Sequence, residues 1–169
     1  MKQRKETKLP SNWLEQIYKE RKQEIFRFLY VLLGDKQSAE DALQDTFLKA
    51  YLRRSKYIEM QQEKAWLYQI ARNTAYDMLR KRRREFPIEK EQINDAIEKV
   101  VHHEDLHEHL IYMEMIADLN EAEREIVSLK IIAGLTHQEI AKVLHMTTGS
   151  VKKRYERALN KLKANYEEA

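Results

Sequence analysis

The stretch Gly134-Leu135-Thr136-His137-Gln138-Glu139-Ile140-Ala141-Lys142-Val143-Leu144-His145-Met146-Thr147-Thr148-Gly149-Ser150-Val151-Lys152-Lys153-Arg154-Tyr155-Glu156-Arg157-Ala158 decides how this chain folds. Thr136 to Glu139 has the form of a capping box, in which the hydroxyl and the carboxylate satisfy each other's backbone N–H groups at a helix start. The helix it opens is short and turns Ile140, Ala141, Val143 and Leu144 inward. A tight turn at His145-Met146-Thr147 follows, and a last helix runs from about Thr148 to Tyr166. On that helix Val151, Tyr155, Ala158 and Leu162 fall at helical spacing and form the packed face, leaving Ser150, Lys152, Lys153, Arg154 and Arg157 at its outward N-terminal end. This is the pattern of a helix-turn-helix, whose second helix enters the major groove with cations for phosphates and base edges. The same pattern also describes an ordinary helical hairpin with a solvated basic face.

The rest of the chain supports helices throughout. Of 169 residues only three are Gly and two Pro, too few breakers for strands and tight turns. One helix is expected from Trp13 to Leu33, stopped by Gly34-Asp35. A second begins at Ser38, with Asp41 three residues on, and buries Ala39, Ala42, Leu43, Thr46, Phe47, Ala50 and Tyr51. The residues from about Arg53 to Lys64 lose the period and read as a loop. A third strong helix carries Trp66, Leu67, Ile70, Ala71, Thr74, Met78 and Leu79 inward and ends in Arg80-Lys81-Arg82-Arg83-Arg84, closed by Pro87. Helices resume near Leu110, and Asn120 caps one that runs to Gly134. The expectation is an all-α chain of two small helical domains joined by an acidic linker, the second with a helix-turn-helix: residues 1–86, 87–109 and 110–169.

Charge follows the same division. Residues 1–84 hold 20 basic and 11 acidic side chains, residues 85–121 hold 2 and 11, and residues 122–169 hold 9 and 6. Two basic units that meet a polyanion, joined by an acidic connector, fit this map. The absence of cysteine removes disulfides, thiolate metal sites and cysteine nucleophiles, and suits a reducing cytosol. The longest apolar run, Phe28 to Leu33, is far short of a membrane span, and the basic N-terminus has no apolar stretch behind it. Glycine-rich phosphate loops are ruled out. His102, His103, His107 and His109 include one pair at helical spacing, but acidic linkers carry such residues by composition, so no metal or cofactor is assigned. No catalytic arrangement is found either.

Two further constellations stand out. Opposite the buried stripe of the second helix, Asp41, Gln44, Asp45 and Leu48 make an acidic ridge with one apolar side chain. It repels phosphate, so it is either a solvated face or a seat for a basic, helical protein surface. The third helix combines Trp66, Tyr68, Arg72, Asn73 and Tyr76 with the cationic run, the parts from which single-stranded DNA sites are built; a core position for most of the Trp66 ring is the plain alternative.

Three segments in this order resemble bacterial sigma factors of the extracytoplasmic-function (ECF) type. Ala39 to Tyr51 is similar to their core-polymerase-binding segment, Ala65 to Arg80 to the promoter-melting and −10-reading segment, and Leu119 to Val127 through Gly149 to Lys152 to the −35-reading region. The resemblance covers about residues 14–84 and 110–163. It implies an alternative sigma factor that binds core RNA polymerase and directs promoter-specific initiation, in a stress regulon. Its implied partners are the β′ clamp helices and β subunit of the polymerase, promoter DNA and an anti-sigma factor, with no direct membrane insertion and a cytoplasmic location.

Residue by residue, it implies that Asp41, Gln44, Asp45 and Leu48 face the β′ clamp. Tyr57 to Lys64 would match the loop that receives a flipped −10 base. Tyr57, Trp66, Arg72, Asn73 and Arg80 are the expected −10 residues, and Lys130, Ser150, Lys152, Lys153 and Arg157 the −35 ones. The chain departs from the family at Asn120, where proline is usual, at Glu156, where an aromatic or histidine is more frequent, and at Leu159, often basic. A helix-turn-helix regulator would need no Trp66–Arg84 constellation, and an anti-sigma-like adaptor would need no outward Lys152 and Lys153. A self-repelling acidic linker leaves the two units without a fixed orientation, with ridge and recognition helix both exposed, so that inhibition falls to a partner wedged between them.

Overall fold

The computed structural model describes residues 10–59, 63–85 and 104–167, with the side chains of 57–59, 104–107 and 166–167 excepted. Among the described residues the chain is helical and has no strand. The helices are α1 Trp13–Leu33, α2 Lys36–Leu52, α3 Arg54–Glu59, α4 Glu63–Glu85, α5 Glu104–Met115, α6 Glu121–Ile131, α7 His137–Leu144 and α8 Thr148–Glu167. Most of the predicted linker lies outside these residues, as do His102 and His103.

Gly34-Asp35 ends one helix and begins the next. Gly34 adopts φ +78° and its N–H bonds to the Tyr30 carbonyl, the left-handed cap that a side chain would strain. Asp35 then accepts from the Ser38 amide and caps α2. The helix therefore starts two residues before the predicted Ser38, because the better cap is the aspartate. Ser38 lies inside the first turn, and its hydroxyl accepts from Arg82 of α4 at 2.6 Å, with Arg82 also reaching Asp35 at 3.1 Å. One arginine of the cationic run is thus spent on fastening α4 to α2. The predicted loop after Arg53 contains α3, a six-residue helix too short to show a period. α5 begins at Glu104, ahead of the predicted Leu110.

α1, α2 and α4 pack as a three-helix unit around Ile25, Phe28, Leu29, Ala39, Ala42, Phe47, Leu67, Tyr68 and Ala71. Phe28 meets Tyr68 edge-on at 5.3 Å, the arrangement that aromatic quadrupoles favour. α6, α7 and α8 form the second unit, with Val127, Ile116, Leu119, Ala158 and Leu162 in a small cluster of their own. The N-termini of α6 and α7 are set by capping boxes, Asn120 with Glu123 and Thr136 with Glu139. Asn120 caps where the family's proline is missing.

The expectation of two units without a fixed orientation is not what the structure shows. α4 lies against α7 and α1 against α6. Ile126, Leu129, Ala133, Leu135, Ile140, Val143 and Val151 join the core of the first unit in one continuous apolar cluster. The physical reason is size. Units of about 70 and 50 residues bury too little of their own surface to be comfortable alone, and each covers an apolar stripe of the other.

Candidate nucleic-acid and polymerase interfaces

The ridge on α2 is built by helical spacing alone. Ala42, Leu43, Thr46 and Phe47 are buried, which turns Asp41, Gln44, Asp45 and Leu48 outward. Leu48 is 56% exposed, and Tyr51 and Leu52 beyond it are exposed as well. Asp41 accepts from Gln37 one turn back. Asp45 and Gln44 have no side-chain partner among the described residues. An apolar side chain left in water beside carboxylates that lack a basic partner adds nothing to the stability of the fold.

On α4 the predicted −10 residues divide. Trp66 is buried, in keeping with the core alternative for its ring. Asn73 is exposed, and so is Arg80, which pairs with Asp77 on the same helix. Arg72 is drawn into the second unit. Its Nε donates to Glu125 Oε1 at 2.6 Å and its Nη2 to Oε2 at 3.3 Å, while the Tyr76 hydroxyl donates to Oε2 at 3.4 Å. The guanidinium also lies 4.6 Å from the centre of the Tyr76 ring. Burial, with the Glu125 charge added, raises the Tyr76 phenol above its ordinary range. Tyr57 belongs to α3, and its side chain lies outside the described residues.

The recognition helix α8 holds Lys152, Lys153, Arg154 and Arg157 in solvent while Val151, Ala158 and Leu162 are buried. Thr147 opens it by accepting from the Ser150 amide, which sets Ser150 at the electropositive end of the helix. Lys130 differs from the outward cations: its ammonium donates to the Leu135 carbonyl and braces the loop between α6 and α7. His137 packs on Tyr155 at 5.3 Å. Burial, together with Lys130 and Lys152, keeps its imidazole below the ordinary pKa and hence neutral at pH 7. The turn closes on His145, a non-glycine residue at φ +53°, and its ring meets the Gln69 amide of α4 at 3.3 Å.

Three residues to which the sequence reading assigned no packing partner shape the site. Glu123 receives Lys161 at 2.8 and 2.9 Å and so ties α8 to α6. Glu125 takes Arg72. His109, read as part of a linker, is buried against the Tyr30 ring at 4.3 Å, and burial with Arg27 nearby lowers its pKa to about 4. A signal existed for Glu125: it stands with Ala122, Ile126 and Leu129 on the inward stripe of α6, where a carboxylate requires a partner.

Two sequence families cover the chain: Sigma-70 region 2 matches residues 17–85, and Sigma-70, region 4 matches residues 109–162. The ECF RNA polymerase sigma factor SigM of Bacillus subtilis is 31% identical over 158 residues, spanning 90% of this chain and 94% of that protein. SigC of Mycobacterium tuberculosis is 31% identical over 91% of this chain and 83% of its own length. Among solved structures, the sigma factor RpoE of Bartonella quintana, in complex with the anti-sigma factor NepR, superposes with a TM-score of 0.72 at 27% identity, over 92% of this chain and 98% of that one. CnrH in complex with the cytosolic domain of CnrY shares the fold, with a TM-score of 0.66 at 21% identity over 94% of this chain and 90% of that chain. The two helical units with their helix-turn-helix are those of a transcription initiation factor. The chain belongs to the ECF RNA polymerase sigma factors. It is an alternative sigma factor that binds core polymerase and directs transcription from promoter DNA.

The Glu123–Lys161 tie gives a pH test. Lys161 first, then the Asn120 amide and Arg157, hold the Glu123 carboxyl below its ordinary value against the opposing effect of burial. A depressed carboxyl stabilises the fold above its unfolded pKa of about 4.3 and loses that contribution as pH falls through the folded value. Glu123→Gln, which keeps the capping box, is therefore less stable than the parent above about pH 5, by up to about 1 kcal/mol given the exposed Lys161. The two melting temperatures converge below pH 4 in circular dichroism. A gap that stays constant with pH removes the charge from the account.

Proposed function

We propose that the three surfaces divide the work of the sigma factor, with residues 1–86 acting on polymerase and the −10 element, 87–109 as the connector and 110–169 acting on the −35 element. Asp41, Gln44, Asp45 and Leu48 dock on the β′ clamp helices. Asn73, with Trp66, Tyr57, Arg72 and Arg80, receives the −10 strand. Lys152, Lys153 and Arg157 engage the −35 duplex from the N-terminal end of α8, with Ser150 at the helix start and Lys130 bracing the loop that aims it; β also contacts this half. The observation that carries the reading is the ridge: an exposed leucine flanked by carboxylates with no basic partner of their own. The factor works by positioning and electrostatics, without chemistry or cofactor of its own, in the bacterial cytoplasm and in a stress regulon. No described helix is long and apolar enough to cross a membrane. An anti-sigma factor is its proposed regulator, because the likeness to RpoE of the NepR complex extends over both units of this chain.

Reversing the ridge charge tests the docking. Asp45→Lys alters an exposed position and shifts stability by no more than about 0.5 kcal/mol, yet it costs about 2–5 kcal/mol of core binding if its charge pairs across a buried interface. Co-elution with core enzyme measures this, and undiminished co-elution refutes the assignment.

The −10 assignment is tested separately, on promoters recovered by sequencing run-off transcripts from genomic DNA. Asn73→Ala holoenzyme binds these promoters but opens them poorly, and a premelted template restores part of the activity. Lys152→Ala with Lys153→Ala weakens binding to closed and premelted templates alike. Normal permanganate reactivity for Asn73→Ala contradicts the pocket.

A further inference from the structure

Glu156 is an acidic side chain set among cations on the outward face of α8. Val151, Ala158 and Leu162 are buried and Tyr155 half-buried, so the opposite side carries Gly149, Lys152, Lys153 and Glu156 at spacings of three and four residues. All four stand in solvent. Lys152 and Lys153 precede Glu156 by four and three residues, the spacings at which helical ion pairs close. Glu156 nevertheless makes no ion pair or hydrogen bond among the described residues. Its neighbours in the same unit do: Glu123 holds Lys161, Glu125 holds Arg72 and Glu139 completes a capping box. Glu156 and Lys152 both act on the His137 imidazole at the start of α7, with opposite sign. Gly149 adds a second observation. Its backbone is not left-handed, and a Cβ there would meet nothing within 4 Å. Neither the turn nor the packing of the protein requires a glycine at that position, whereas a bare backbone on an outward face suits close approach to a ligand.

A carboxylate among these cations weakens their attraction for phosphate, so its place on this face calls for a donor to meet. An ionised carboxylate only accepts hydrogen bonds. The major groove offers two exocyclic amines, N4 of cytosine and N6 of adenine, while guanine and the O4 of thymine present acceptors that repel it. Adenine sets its N7 acceptor beside the amine, and cytosine does not. Cytosine is therefore the base a carboxylate selects. We propose that Glu156 reads a cytosine of the −35 element, its carboxylate accepting from the N4 amine. Lys152 and Lys153 take neighbouring phosphates, and Gly149 lets the face sit close to the groove floor. The stripe from Gly149 to Glu156 rises about 10 Å, within a groove about 12 Å wide. The proposal rests on the −35 assignment of α8 above and adds the base it selects.

The test uses holoenzyme and a recovered promoter whose −35 element is randomised as duplex. Bound and unbound molecules are separated by gel shift and sequenced. Parent holoenzyme enriches cytosine at one position by at least about fivefold over the other bases, the lower end of what a mismatched pair costs. Glu156→Ala flattens that position to within about twofold and leaves the preferences elsewhere unchanged. Glu156→Gln moves the preference there to adenine, because an amide both donates and accepts and so pairs with N7 and N6. Glu156 is exposed, so both variants fold, which unchanged melting temperatures verify. A solvated charge gives the same base preferences in all three proteins, and a merely repelling one raises binding to every sequence alike. Either result overturns the proposal. Lys152→Ala with Lys153→Ala separates it from the reading beneath it. If that variant binds the whole library as tightly as the parent, the −35 assignment falls and the cytosine contact with it. If it binds weakly throughout while Glu156→Ala changes no preference, the assignment stands and the cytosine contact alone is refuted.

Discussion

The half-buried pair between Arg72 and Glu125 is the constraint on which the arrangement of the two units depends. Taking a carboxylate and a guanidinium out of water costs several kcal/mol per ion, and only close, multiply bonded geometry offsets it. Here the carboxylate has two guanidinium bonds and a phenol hydroxyl. Its burial is in turn made by the apolar residues around it, since Ile126 and Leu129 of α6 and Ile140 of α7 complete the core begun by α1 and α4. Such a pair selects one relative placement, because any slide of α4 along α7 leaves a charge buried without its partner. The apolar cluster supplies attraction and the ion pair supplies register.

Much of this was legible in the sequence because it is local. The capping boxes at Asn120 and Thr136, the left-handed stop at Gly34 and the helix-turn-helix spacing depend on residues within one turn of each other. The exposure of Asp41, Gln44, Asp45 and Leu48 follows from period alone. Four local readings were off: Asp35 outcompeted Ser38 as a cap, α3 was too short to show a period, α5 began at Glu104 rather than near Leu110, and Tyr51, expected inside, is exposed. The larger miss was the closed arrangement of the units. It arises from pairs such as Arg72 with Glu125, 53 positions apart, and no spacing rule links them. Net charge over the connector argued for separation, but the units meet through an apolar cluster and the Arg72–Glu125 pair. The stripe of α6 did contain a warning, since a carboxylate between Ala122 and Ile126 had to find a cation somewhere.

The cations of α4, α6 and α8 also proved unequal. Arg82 fastens α4 to α2, Lys130 braces a loop, Arg72 serves the interface and Arg157 adds to the charge that holds Glu123, whereas Lys152 and Lys153 stand in solvent. A count of positive charge treats these alike. Hydrogen-bond partners separate the ones that hold the protein together from the ones it can offer to DNA. Packing of the units against each other and regulation by a partner are compatible in this scheme. A binder that spans both units gains by holding an arrangement the chain already adopts.

Spin labels on Gln37→Cys in α2 and Asn160→Cys in α8 test the account most directly, through the distance distribution between them measured by pulsed electron resonance. The free chain gives one narrow short-distance peak. A broad, long distribution in the free chain contradicts the packed arrangement of the two units.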